Sequence, residues 1–121
     1  APLVEGAFHG LSRLRDAGIP FALISLRQDP LAAEHLLERR GLWGGLFVPE
    51  NVYFVRGARE KYETAASLGV THFVDDEPNI LDIMSTIPNR VLFDLHDQFS
   101  DRGDILRVRR WDELVDLLVR A

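Results

Sequence analysis

Apolar runs of strand length alternate with segments of helical periodicity along this chain. Glu5 to Ala17 sets Ala7, Phe8, Leu11 and Leu14 on one helical face, and Gly18 ends it. Phe21-Ala-Leu-Ile-Ser-Leu26 is almost continuously apolar, the pattern of a strand covered on both faces. Asp29-Pro30 offers an N-cap acceptor and a first-turn proline. The helix it opens turns Leu31, Leu36 and Leu37 inward and closes at Arg39, Arg40 and Gly41. Beyond a Gly44-Gly45 turn, the pattern predicts a strand over Val52–Val55 and a helix from Glu60 to Leu68, stopped by Gly69. Thr71–Val74 predicts a third strand that runs into Asp75-Asp76-Glu77-Pro78. Pro78 begins a helix with Ile80, Leu81, Ile83 and Met84 mostly inward, broken by Pro88-Asn89. Arg90–Leu95 predicts a fourth strand, Ile105–Val108 a short edge strand, and Trp111–Val119 the last helix.

Alternation of this kind implies an α/β fold: parallel strands joined by right-handed crossovers, with helices on both faces. No repeat, low-complexity tract or linker interrupts it, so a single domain over residues 1–121 is expected. A chain of this length buries roughly two-thirds of its surface on folding, enough for a core without staples. The absence of cysteine excludes a disulfide framework, a thiolate zinc site, an iron–sulfur cluster and a cysteine nucleophile. It also suits a reducing compartment, so a cytoplasmic location is expected. The formal charge of −5 disfavours nucleic acid as a partner. No apolar run approaches a membrane span, and the first residues lack the pattern of a signal peptide.

In open parallel sheets, ligands sit at the carboxyl ends of the strands. Here those ends carry Ser25-Leu26-Arg27, Arg56 to Lys61, Asp75-Asp76, and Asp94-Leu95-His96-Asp97. A hydroxyl can hold phosphoryl oxygens, and a lysine can neutralise charge on a phosphate. Adjacent carboxylates offer hard oxygen ligands for Mg²⁺, so the combination suits phosphate chemistry.

Phe21-Ala-Leu-Ile-Ser25, then Lys61, then Leu68-Gly-Val-Thr-His-Phe-Val-Asp75-Asp76-Glu-Pro78 resemble, in order and spacing, the second, third and fourth motifs of the haloacid dehalogenase-like (HAD) hydrolases. The tail from Val91 to Leu114, with Trp111, is similar to the last strands and terminal helix of the phosphatase and nucleotidase branch. The resemblance implies a three-layer Rossmann-like sheet, mostly parallel, without a cap insertion between Val55 and Lys61. It implies Mg²⁺-dependent hydrolysis of a small phosphorylated substrate through an aspartyl-phosphate. Ser25 would position phosphoryl oxygens and Lys61 would stabilise charge. Asp75 would ligate Mg²⁺ directly, with Asp76 assisting.

The family's first motif, Asp-x-Asp-x-Thr or Val on the central strand, is missing. Three readings follow: a piece whose central strand lies upstream, a non-catalytic binding or assembly module, or a circular permutant with Asp94 as nucleophile. In the last, Phe93-Asp94-Leu95-His96 imitates the first motif, but His96 stands where the second aspartate belongs. The chain alone is expected to be inactive and open to homo-oligomer formation through unpaired strands. Each candidate also has a plain structural role. Asp75 and Asp76 could cap the helix at Pro78, Ser25 could bond a turn, and Lys61 could be an ordinary solvated residue. Arg27, Arg56 and Arg59 could steer an anion or simply be solvated. His9, His35, His72 and His96 show no paired metal-ligand spacing, and His72 is expected to be structural. Trp43, Phe47, Tyr53 and Phe54 suggest a core patch, with Trp111 anchoring the last helix.

Overall fold

The computed structural model describes residues 6–26 and 46–120. The predicted helix from Asp29 to Gly41, with Arg27, His35, Trp43 and the Gly44-Gly45 turn, lies outside the described residues. The elements are α1 (Ala7–Asp16), β1 (Leu23–Leu26), β2 (Val52–Val55), α2 (Ala58–Leu68), β3 (His72–Asp75), α3 (Pro78–Asp82), β4 (Asn89–Phe93), β5 (Leu106–Val108) and α4 (Trp111–Arg120).

Helix α1 buries Ala7, Gly10, Leu11 and Leu14, while Phe8 is 56% exposed, contrary to its expected inward position. The cause is Gly10: a Cβ there would come within 2.8 Å of the Trp111 ring, so the bare backbone lets the indole lie against this turn. The inward stripe therefore rotates away from Phe8. Strand β1 starts at Leu23 rather than Phe21. The Phe21 carbonyl instead accepts from Asn51 Nδ2 at 3.3 Å, and its ring meets Phe47 edge-on at 5.7 Å. Helix α2 ends at Gly69, whose φ of 67° suits a residue without Cβ. Helix α3 has only five residues, which puts Ile83 beyond its end and 38% exposed rather than inward. Strand β4 stops at Phe93, and Leu95 is exposed in the following loop.

The strands form two small parallel sheets, β1-β2 and β3-β4-β5. Their alternating side chains pack against helices on either face. Leu23, Val52 and Phe54 join Leu11, Leu14 and Val115 of α1 and α4, as does Phe47 of the expected core patch. Val74, Val91, Phe93 and Val108 meet Leu114 and Trp111 of α4. On the other face, Ile24, Phe73 and Leu92 pack with Tyr62 and Ala65 of α2 and Leu81 of α3. Helices α2 and α4 thus touch both sheets from opposite sides. Ile24 of β1 and Phe73 of β3 pack into one cluster, yet among the described residues no ladder joins the two sheets. Among the described residues, no helix is long and apolar enough to cross a membrane.

Candidate functional site

Lys61 lies in the first turn of α2, its amide donating to the Gly57 carbonyl at 3.0 Å. It is therefore held just past the carboxyl end of β2. Its Nζ donates to Asp75 Oδ2 at 2.7 Å, with the two side chains only 12% and 6% exposed. Lys61 also stands 5.8 Å from the Phe73 ring centroid. The ion pair has a topological consequence. Asp75 ends β3, so the carboxyl ends of both sheets meet at one rim. The parallel register sets Ser25 opposite Phe54 and Leu26 opposite Val55, so Ser25 belongs to the carboxyl end of β1 on that rim.

The two aspartates differ. Asp75 is committed, with one oxygen on Lys61 and the other accepting the Glu77 amide at 3.0 Å. Asp76, still exposed, has its carboxyl pushed above the ordinary 3.8, first by partial desolvation and then by the hydrogen bond and charge of Asp75 beside it. Negative charge is thus concentrated here at an electrostatic cost, one that a cation would relieve. Both groups are hard oxygen donors, the kind Mg²⁺ takes in ones and twos alongside water and phosphate. Among the described residues, no group of three or more His, Cys, Asp or Glu side chains is arranged to hold a metal.

A second acidic cluster, around Asp94, is built differently. Asp94 is 2% exposed. It accepts from the amides of Gln98 at 2.9 Å and Phe99 at 3.0 Å, and from Arg107 Nη1 at 3.1 Å. Arg107 also bridges Asp97 and Asp101. Burial alone would raise the Asp94 pKa, but the two amides and Arg107 more than reverse that and hold it below the ordinary range. Asp94 therefore organises the loop to Phe99, in which Asp97 takes a left-handed φ of 52°. Its acceptors are occupied, which argues against an attacking group. Sequence reasoning gave Arg107 no role, because only the folded strand β5 brings it to carboxylates 6 to 13 residues away.

The remaining candidates make only local contacts among the described residues. Arg59 is an exposed partner of Glu63 at 3.7 Å, and the Arg56 amide donates to Glu60 Oε2 at 3.4 Å. His72 Nδ1 lies 2.9 Å from Thr71 Oγ1, a local contact in keeping with a structural role. His96 is exposed in the loop after β4. No family model, curated protein or solved structure matches the chain.

Proposed function

We propose that this chain is the greater part of a HAD-like phosphohydrolase core, a three-layer domain hydrolysing a small phosphomonoester at the carboxyl rim. The observation that carries the reading is the buried Lys61–Asp75 pair with Asp76 next to it. Removing two charges from water costs several kcal/mol per ion, and a well-packed apolar pair would do as well for folding. An ion pair buried at that cost at the end of a parallel strand, with the second carboxylate of Asp76 crowded against it, suits chemistry better than architecture.

In this reading the Ser25 hydroxyl orients phosphoryl oxygens and Lys61 stabilises negative charge on them. Asp75 and Asp76 would hold Mg²⁺, which when bound neutralises phosphate charge. The attacking carboxylate is carried on a strand between β1 and β3, the two edges left without a ladder among the described residues. The 121 residues alone then turn over no phosphate ester. The test is to read the gene upstream of Ala1, express the longer product and measure Mg²⁺-dependent phosphate release over a panel of phosphate esters. A strand ending Asp-x-Asp together with metal-dependent turnover supports the reading. No release from any ester with metal present contradicts it.

The same unladdered edges favour a second reading, a non-catalytic module that assembles through β1 and β3. It requires a stable multimer of the 121-residue chain, which sedimentation equilibrium would reveal.

A further inference from the structure

The face of α1 and α4 carries a feature that the phosphohydrolase reading does not use. A cleft of about 570 Å³ opens between α1, the end of β4 and the first turn of α4. That volume falls within the roughly 300–1,000 Å³ of small-molecule sites. Its apolar wall is made by Phe93, Leu95 and Trp111, the Phe93 and Trp111 rings lying 5.8 Å apart at a 52° tilt. Gly10 sets its depth, since a side chain there would collide with the Trp111 ring. The polar lining is mostly cationic in character: Arg13, Arg109 and Arg110, with His9, against a single lining carboxylate, Asp112.

Each arginine has a carboxylate neighbour, Arg110 a second one in Glu113 at 4.0 Å, and every one of these pairs is long and open to water. Arg13 meets Asp116 at 3.3 Å, Arg109 meets Asp97 at 3.4 Å, and Arg110 meets Asp112 at 3.2 Å. The side chains of these three pairs are 42% to 68% exposed. Exposed pairs of this kind contribute about 0–1 kcal/mol, so a ligand can take over the guanidinium groups at little cost. A planar guanidinium fork matches a carboxylate in two-point contact, and an aromatic wall favours a flat apolar body.

We propose that this cleft is a binding site for an aromatic carboxylate, its ring against Trp111 and Phe93 and its head on Arg109 and Arg110. The site is independent of phosphate chemistry at Lys61 and Asp75. The test is amide NMR titration of the 121-residue chain with 2-naphthoate, alongside uncharged 2-naphthylmethanol. Saturable shifts centred on Gly10, Phe93, Trp111 and Asp112 are expected, with the alcohol at least about tenfold weaker. The double variant Arg109→Gln/Arg110→Gln should weaken 2-naphthoate by about tenfold or more while its amide spectrum stays dispersed. If that variant loses dispersion, the acid-against-alcohol comparison on the unmodified chain decides alone. Equal binding of acid and alcohol, shifts centred on Lys61 and Asp75, or no saturation would each overturn the proposal.

Discussion

Two carboxylate sites follow strands of the same sheet, one after β3 and one after β4, and they use their charge in opposite ways. Asp94 collects two backbone amides and Arg107, its pKa falls, and the reward is an ordered loop. Asp75 and Asp76 stand side by side, and the pKa of Asp76 rises. At the first site the donors match the charge, whereas at the second only Asp75 is matched, by Lys61 and the Glu77 amide, and Asp76 adds further charge beside it. A buried ionised group is thus not by itself a sign of chemistry; what matters is whether the surrounding donors account for it.

The sharpest break between the sites is expected in activity. In a longer product that hydrolyses phosphate esters, Lys61→Ala and Asp75→Ala should each lower kcat/KM by about 10³-fold. Asp94→Asn, assayed where it is still folded, should stay within about threefold. Steady-state kinetics on the three variants checks this, and comparable losses at all three would erase the distinction.

Stability comes next. Asp94→Ala should cost about 3 kcal/mol, because it leaves Arg107 short of a partner and two amides without an acceptor. Replacing the other pair with apolar residues, Lys61→Met with Asp75→Leu, should be neutral or stabilising by about 1 kcal/mol. Urea unfolding midpoints decide between them, and a large loss in the double variant would make the Lys61–Asp75 pair structural after all.

The smallest effects are in pH dependence, and they have opposite signs. The folded pKa of Asp94 is depressed, so its contribution is full above the ordinary 3.8 and is lost as pH falls through the lowered folded value. Asp94→Asn should therefore flatten the acid limb of stability. The folded pKa of Asp76 is raised, so its penalty on the folded state develops as pH rises through the ordinary 3.8 and is full above the raised value. Asp76→Asn should give a small gain at pH 7 that disappears well below pH 3.8, the ordinary value. Urea midpoints measured from pH 2.5 to 7 test both signs.

The strand–helix alternation was legible because period-2 and period-3.6 patterns are local. Phe21–Leu26 and Arg90–Leu95 each contained a real strand, shortened at one end by contacts that no local pattern encodes: the Asn51 amide on the Phe21 carbonyl, and the loop that Asp94 gathers. Phe8 misled because the inward face of α1 depends on a tryptophan a hundred residues away. Ile83 misled because α3 stops after five residues. At the rim, the resemblance singled out Lys61 and Asp75, which the fold joins across 14 residues. It gave no role to Arg107, whose partners are set by tertiary structure alone.

Amide and carboxyl NMR of the 121-residue chain, titrated with Mg²⁺ in the presence of inorganic phosphate, tests the rim most directly. Saturable shifts are expected at Ser25, Lys61, Asp75 and Asp76, with the Asp76 carboxyl titrating at lower pH once the cation is bound and the Asp94 loop unmoved. A response spread evenly over the acidic surface, or one as large at Asp94 as at Asp76, would contradict the account.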